Sequence, residues 1–172
     1  RIHKAGAKFD PEKNKWFNHQ YLITKEDAEL AELFKVELAK KNISTSLDIT
    51  RVVSLVKERA NFVTELYDLA DYFFVAPTSY DEKAAKNWKE ETPELMKQVI
   101  GQLQNIADFN SLNIEALLKE WMTTNEIGMG KIMQPFRLSL VGALKGPHLF
   151  DIVELIGKEE TVSRLKRAIV TI

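Results

Sequence analysis

Apolar residues recur every three or four positions along most of the chain, and this spacing restricts the possible folds more than any other feature. Over residues 24–40, one side of a predicted helix carries Ala28, Ala31, Leu33, Phe34 and Leu38. A second pattern over residues 48–74 predicts one helix or two helices end to end. No segment of convincing length alternates apolar and polar residues as a strand does. The sequence therefore predicts an all-α fold.

Caps, prolines and glycines mark the ends of these helices and of several others. Pro77 ends the second pattern and Gly142 ends a later one, because proline and glycine both interrupt a helix. Further helices are predicted over residues 79–88, 92–107, 114–123, 132–141, 148–156 and 158–170. Pro77, Pro93 and polar residues accumulate near residues 75–92. We therefore predict two helical subdomains, residues 1–75 and 76–172.

The sequence contains no recognisable catalytic, metal-binding or nucleotide-binding motif. It has no cysteine, and His3, His19 and His148 are too far apart to form a ligand pair on one helix turn. Gly128-Met129-Gly130 lacks the preceding strand and downstream glycine of a dinucleotide-binding loop. We therefore predict no catalytic residues, no metal and no cofactor in this chain.

The apolar stretches are too short to cross a membrane. One of the longest, at residues 138–144, falls well below the about 20 residues that span a bilayer. No signal-peptide pattern follows Arg1, and the absence of cysteine fits a reducing compartment, so we expect the protein in the cytoplasm. Because the sequence begins at Arg1 rather than at methionine, we expect it to be part of a longer chain.

The formal net charge of −1 hides an uneven distribution of charge. Residues 1–21 carry five Lys/Arg against two Asp/Glu, and residues 128–172 carry seven against four. The intervening residues carry twelve against nineteen. The two basic ends could contact phosphate groups, although a solvated mixture of charges explains the same pattern.

The segment at residues 4–18 departs from ordinary helical sequence. It is rich in turn-forming residues and interleaves four lysines with Phe9, Trp16 and Phe17. Its lysines could bind phosphate groups, with Trp16 packed beneath them. Alternatively, the three aromatic side chains fasten this segment to the first helix.

The segment at residues 134–159 is unusual for a different reason. It places Arg137 inside an apolar helix and begins the next helix with Gly146-Pro147. A glycine followed by a proline has a small backbone with few N–H groups, which allows close approach of a flat ligand such as a base. Taken alone, the residues favour a carboxylate partner for Arg137.

Residues of both segments form strings with fixed spacing. The first has the form F-D-x-x-K-x-x-W-x-N, and the second has the form P-x-R-x-x-x-x-G…P-x-L-F…G-K-E. The residues that form them are Phe9, Asp10, Lys13, Trp16 and Asn18, then Pro135, Arg137, Gly142, Pro147, Leu149, Phe150, Gly157, Lys158 and Glu159. Together these strings resemble the C-terminal region of bacterial-type glutamyl-tRNA synthetases, and the resemblance covers essentially the whole chain.

The resemblance implies an anticodon-binding region of the α-helix cage type, built from two helical subdomains, with the tRNA for glutamate as its partner. In the family, the arginine matched by Arg59 recognises an anticodon base. The residues matched by Arg137 and Lys119 contact the anticodon stem-loop. The loop matched by Gly146-Pro147-His148-Leu149 lies against unstacked bases.

Two residues depart from the family pattern, and the catalytic domain is absent. Gly146 stands where some relatives have a hydroxyl-bearing residue, and Lys119 replaces an arginine, which keeps the charge but loses bidentate geometry. The class I signatures H-x-G-H and K-M-S-K-S do not occur. The resemblance therefore implies that the parent protein, expected to be a monomer, attaches glutamate with ATP on a domain outside this sequence.

A helical protein-interaction module with no RNA ligand is the alternative hypothesis. In such a module, Arg59 and Arg137 would be partners in internal ion pairs. Salt dependence separates the two hypotheses, because RNA affinity falls steeply as salt displaces the ion contacts to phosphate.

Overall fold

The computed structural model describes residues 10–172, and across them the chain forms ten α-helices and no β-strand. Two short 3-10 turns, Lys57–Arg59 and Val63–Glu65, lie between the third and fourth helices. The helices are α1 (Pro11–Thr24), α2 (Asp27–Lys40), α3 (Ile49–Val56), α4 (Leu66–Phe74), α5 (Glu82–Ala85), α6 (Thr92–Gln104), α7 (Ser111–Thr124), α8 (Met129–Val141), α9 (Leu149–Ile156) and α10 (Lys158–Thr171). The predicted all-α fold is confirmed over this part of the chain.

The described chain divides into two compact units. The first unit contains residues 10–44 and Ile49–Leu69. The second unit contains Thr45–Asp48 and Ala70–Ile172. Whether residues 1–75 and 76–172 fold as separate subdomains stays a prediction.

In the first unit, α2 packs along α3 through most of the apolar stripe that the sequence predicted, whereas Ala28 and Leu33 of that stripe are exposed. The almost fully buried side chains of these helices include Leu30, Phe34, Leu38, Val52, Val53 and Val56. Their spacing of three or four residues places them on one face of each helix. Burial of each such side chain stabilises the fold by about 1.5–3 kcal/mol relative to exposure.

Helix α1 occupies residues for which the sequence predicted a turn. The Asp10 carboxylate accepts hydrogen bonds from the backbone N–H groups of Glu12 and Lys13, and Pro11 lies in the first turn, so this Asp-Pro pair begins a helix. The turn prediction is wrong over residues 11–18. Trp16 and Phe17 are both more than half exposed and contact each other edge to face, so they do not fasten the segment to a core. Residues 4–9 lie outside the described part of the chain.

The pattern over residues 48–74, which predicted one helix or two end to end, forms two helices, α3 and α4, that are separated by residues 57–65. Ala60 is buried in an extended conformation, and its carbonyl oxygen lies 2.7 Å from Nδ1 of His19. The Glu65 carboxylate accepts hydrogen bonds from the backbone N–H and the side-chain amide of Asn61, and these donors lower the pKa of the Glu65 carboxyl. Side-chain bonds thus replace the backbone bonds of a continuous helix here.

In the second unit, α10 packs against α6, α8 and α9, and α7 packs against α9 and α6. The buried apolar side chains of these helices include Met96, Val99, Leu103, Ile114, Leu118, Ile132, Phe136, Ile152, Val153, Leu165 and Ala168. The helices predicted over residues 79–88 and 114–123 begin three positions later and three positions earlier in the structure, at Glu82 and Ser111. Asp81 caps α5, and Asn110 caps α7 by accepting a hydrogen bond from the N–H of Asn113.

Candidate nucleic-acid interface

The segment between α8 and α9 contains several of the predicted site residues, and its backbone requires glycine at two positions. Gly142 ends α8 with φ +79°, and a Cβ there would lie 2.8 Å from the carbonyl oxygen of Ser79. Gly146 has φ +99°, and its Cβ would lie 3.0 Å from the hydroxyl oxygen of Tyr72. Other residues rarely adopt such φ values. The two glycines therefore determine the path of the segment.

Arg137 on α8 holds this segment in place. Its Nη1 donates hydrogen bonds to the carbonyl oxygens of Lys145 and Pro147, both at 2.8 Å. The guanidinium is planar and its donors have fixed directions, so two bonds from one nitrogen restrict the position of the backbone. Arg137 therefore supports the segment structurally, in addition to its predicted role as an RNA contact.

Three charged or titratable side chains meet beside this segment: Glu115 and Lys119 from α7, and His148 at the start of α9. Nζ of Lys119 lies 2.6 Å from Oε1 of Glu115, and Nε2 of His148 lies 3.6 Å from Oε2 of the same carboxylate. The hydrogen bond from Lys119 and the nearby positive charge lower the pKa of the Glu115 carboxyl despite its partial desolvation. The ionised Glu115 thus connects Lys119 to the segment.

Only part of this segment faces solvent. Pro147 is buried, and Leu149 is 4% exposed. The side chains of Lys145 and His148, by contrast, are about half exposed. A ligand that approaches this conformation meets Lys145, His148 and the backbone of Gly146 before it meets the side chain of Leu149.

Arg59 belongs to the first unit, and its environment differs from that of Arg137 and Lys119 in the second unit. It ends the turn Lys57–Arg59 with an exposed side chain, whose Nη1 donates to the carbonyl oxygen of Leu55 at 3.3 Å. No carboxylate of residues 10–172 pairs with it, whereas Nζ of Lys57 lies 2.6 Å from Asp27. The Arg59 guanidinium therefore keeps most of its five N–H donors available. This environment does not match the internal ion pair of the alternative hypothesis.

The structure thus gathers Lys119, Arg137 and residues 146–149 in the second unit and places Arg59 in the first unit. The sequence analysis did not single out Glu115 or assign His148 a role of its own. The four-residue spacing between Glu115 and Lys119 on one helix is the signal that could have predicted their ion pair.

The sequence analysis also missed Arg164, which is 2% exposed. Its Nε donates to Glu160 at 2.7 Å, and its Nη1 donates to the carbonyl oxygens of Tyr72 at 2.6 Å and Leu140 at 2.8 Å. It therefore ties α10 to the last turns of α4 and α8. A buried charge is tolerated only when it is paired and hydrogen-bonded, and Arg164 satisfies both conditions.

Among residues 10–172, no group of three or more His, Cys, Asp or Glu side chains could hold a metal ion. No helix in this part of the chain has the length and apolar character needed to cross a membrane.

A family model described as the anticodon binding domain matches residues 28–169. The chain belongs to this anticodon-binding domain family. The match includes Arg59, Lys119, Arg137 and residues 146–149, and it leaves α1 outside.

Curated relatives of this domain carry the name glutamate–tRNA ligase. The protein of Flavobacterium psychrophilum is 73% identical over 100% of this chain, which corresponds to 34% of that relative's length. The protein of Flavobacterium johnsoniae is 72% identical over 98% of this chain and 34% of its own length. The chain therefore spans about a third of the relatives it matches.

A solved structure has the same fold. The glutamate tRNA ligase of Elizabethkingia meningosepticum, crystallised in complex with its amino acid, is 44% identical with a TM-score of 0.91. The match covers 99% of this chain and 34% of that structure's chain. The anticodon-binding domain therefore corresponds to a part of a longer enzyme in this comparison.

Proposed function

We propose that this protein binds the anticodon stem-loop of the tRNA for glutamate as part of a glutamate–tRNA ligase. The observation that carries the proposal is the anticodon-binding domain match over residues 28–169, in a chain whose relatives are glutamate–tRNA ligases along its full length. The rest of the ligase, a class I synthetase, attaches glutamate to the tRNA with ATP. The present region contributes binding and discrimination.

The chemistry of the candidate interface supports this proposal. Proteins recognise RNA sequence mainly on unstacked bases, through stacking and through hydrogen bonds to exposed base edges. The exposed Arg59 guanidinium can do both, because it is flat and carries a fixed fork of donors. Lys119 and Arg137 supply positive charge for phosphate groups, and the backbone of Gly146, just before the buried Pro147, offers a narrow surface for a base.

Three further expectations belong to this proposal. The parent ligase acts in the cytoplasm, where tRNA is charged. It acts as a monomer. Its anticodon contacts come from both helical subdomains, with Arg59 in residues 1–75 and the other predicted contacts in residues 76–172.

The test is a titration of the purified protein with the tRNA for glutamate and with a tRNA that differs only in the anticodon, each at low and high salt. We expect tighter binding to the first tRNA, because only the anticodon differs between the two ligands. Affinity should also fall log-linearly with salt, with a slope of roughly −0.7 for each single-strand phosphate neutralised.

Equal affinity for the two tRNAs would contradict anticodon recognition and leave only general phosphate contact. No binding to either tRNA at low salt would contradict RNA binding altogether. Binding to a protein partner with a shallow salt dependence, in place of tRNA binding, would support the alternative of a protein-interaction module.

A further inference from the structure

We propose that His19 is a positioning residue for Arg59: it holds the backbone beside that arginine so that the guanidinium meets its base in one orientation. This inference rests on the proposed function and on the expected role of Arg59 in it. His19 lies on α1, outside the residues that the family model matches, so the match assigns it no role. The proposal adds a residue that acts on anticodon recognition through Arg59.

His19 bonds to the backbone directly after Arg59. Its Nδ1 lies 2.7 Å from the carbonyl oxygen of Ala60. A carbonyl oxygen can only accept a hydrogen bond, so Nδ1 carries the hydrogen and donates it. The side chain of Ala60 is fully buried, whereas that of Arg59 is exposed. The bond therefore joins α1 to the inner side of a turn whose outer side carries the guanidinium.

The same short stretch of chain is anchored at two further points. Before Arg59, Nζ of Lys57 donates a hydrogen bond to the carbonyl oxygen of Lys25 at 3.2 Å. After Arg59, the backbone N–H of Asn61 donates a hydrogen bond to the carboxylate of Glu65 at 2.7 Å. The backbone is therefore held on both sides of Arg59, and the bond from His19 is the anchor that comes from α1.

The side chain of Arg59 is held less firmly than this backbone. Within the described residues, Nη1 donates one long hydrogen bond, 3.3 Å, to the carbonyl oxygen of Leu55. The backbone therefore largely sets the direction in which the side chain extends. Arginine recognises a base edge through a fixed fork of donors, so a rotation of the turn would misalign the fork. A backbone that is ordered in advance also reduces the entropy lost on binding.

The packing of α1 agrees with such a supporting role. Leu22 is its one buried residue among those described, and Trp16 and Phe17 are more than half exposed. The helix packs against the turn Lys57–Arg59. The bond from His19 to the residue after this turn belongs to that contact. Helix α1 thus contributes little to an apolar core and supports the backbone that carries Arg59.

The experiment measures the affinity of the purified protein for the tRNA for glutamate and for a tRNA that differs only in the anticodon. The ratio of the two affinities is the readout. His19→Leu removes the donor, and we expect the ratio to fall roughly threefold to tenfold, the effect of losing about one hydrogen bond. Partial unfolding would lower both affinities by the same factor, so a purely structural role would leave the ratio unchanged.

Two further variants separate the donor from the rest of the side chain. His19→Asn places an amide nitrogen near the position of Nδ1, because both nitrogens are bonded to Cγ, and it should restore the ratio of the unmodified protein. The matched control is Asn18→Leu, because the amide of Asn18 donates to the carbonyl oxygen of Asn14 within α1 at 2.8 Å. This control should also keep the ratio of the unmodified protein.

A double variant tests whether His19 acts through Arg59. Once Arg59→Gln has removed the base contact, His19→Leu should cause no further change in the ratio, since the two residues act on one contact. If the two substitutions instead reduce the ratio by independent factors, His19 does not act through Arg59 and the proposal is wrong.

Each failure has a separate signature. If His19→Leu keeps the ratio of the unmodified protein, or if His19→Asn loses as much as His19→Leu, the role of His19 is overturned and the proposed function stands. If Arg59→Gln leaves the ratio unchanged, the inference fails together with the expected role of Arg59. If the unmodified protein binds both tRNAs equally, the proposed function fails and this inference fails with it.

Discussion

Arg59 in the first unit and Arg137 in the second unit are both expected to contact RNA, but their surroundings are opposite. Arg59 is exposed, and its guanidinium donates a 3.3 Å hydrogen bond to the carbonyl oxygen of Leu55 near the end of α3. Arg137 makes two 2.8 Å bonds that hold the segment before α9. Removal of Arg59 should therefore report on the ligand alone, whereas removal of Arg137 should combine a loss of ligand contact with a loss of structure.

The largest loss of stability is expected on substitution of Arg164, a buried arginine that extends the comparison of Arg59 with Arg137. Arg164→Leu removes three hydrogen bonds and leaves Glu160 and the carbonyls of Tyr72 and Leu140 without their donor. We expect the free energy of unfolding to fall by about 3–5 kcal/mol. Urea denaturation measures this change.

The matched control is Arg167→Leu, an exposed arginine on the same helix. It should change stability by no more than about 0.5 kcal/mol. Equal stabilities of the two variants would show that the buried network contributes little.

Arg137→Ala should give the next largest effect. Two hydrogen bonds from a charged donor are lost, so we expect stability to fall by about 1–3 kcal/mol and tRNA affinity to fall as well. Thermal unfolding and a tRNA titration on the same sample measure both quantities. If the variant lost tRNA affinity but kept its stability, Arg137 would be an RNA contact without a structural role. The contrast between Arg137 and Arg59 would then be wrong.

The packing of α2 on α3 could be predicted from the sequence because their buried residues follow a helical period. Helix α1 could not, because Leu22 is its one buried residue among those described and an exposed helix carries little periodic signal. The break at Ala60 depends on bonds from His19, which is distant in the chain, and on the side chain of Glu65. Such contacts override a local pattern.

The sequence likewise predicted some features of the candidate site and missed others. Glycine commonly ends a helix with a positive φ, as Gly142 does, so the sequence predicted the helix end there, whereas the close approach of Ser79 is not a local feature. The identity of the predicted contact residues came from a resemblance, since nothing in the spacing of Arg59 or Lys119 marks an RNA contact. The proximity of His148 to Glu115 depends on how α9 packs against α7, which sequence periodicity does not specify.

Arg59→Gln should separate binding from stability. Because the side chain is exposed and has no carboxylate partner among residues 10–172, we expect a stability change within about 0.5 kcal/mol. The free energy of binding to the tRNA for glutamate should become less favourable by about 1–3 kcal/mol if the guanidinium contacts a base. A large loss of stability measured by thermal unfolding would contradict the description of Arg59 as an exposed contact.

Lys119→Gln should give the smallest effect, seen mainly in the salt dependence. The loss of one phosphate contact should make the slope of log affinity against log salt concentration shallower by about 0.7 to 1. It should also weaken binding for all tRNA sequences alike. The matched control is Lys97→Gln, because Lys97 also pairs with a glutamate on an exposed helix face. If both variants shift the slope equally, Lys119 has no special position on the surface.

The most direct test of the account is the anticodon discrimination of Arg59→Gln. The measurement compares the affinity ratio for the tRNA for glutamate and an anticodon variant, first with the unmodified protein and then with the Arg59 variant. If Arg59 recognises a base, the ratio should fall roughly fivefold to 150-fold, which corresponds to a loss of about 1–3 kcal/mol of discrimination free energy. A ratio that stays the same while both affinities fall together would contradict base recognition by Arg59 and reduce its role to general electrostatic attraction.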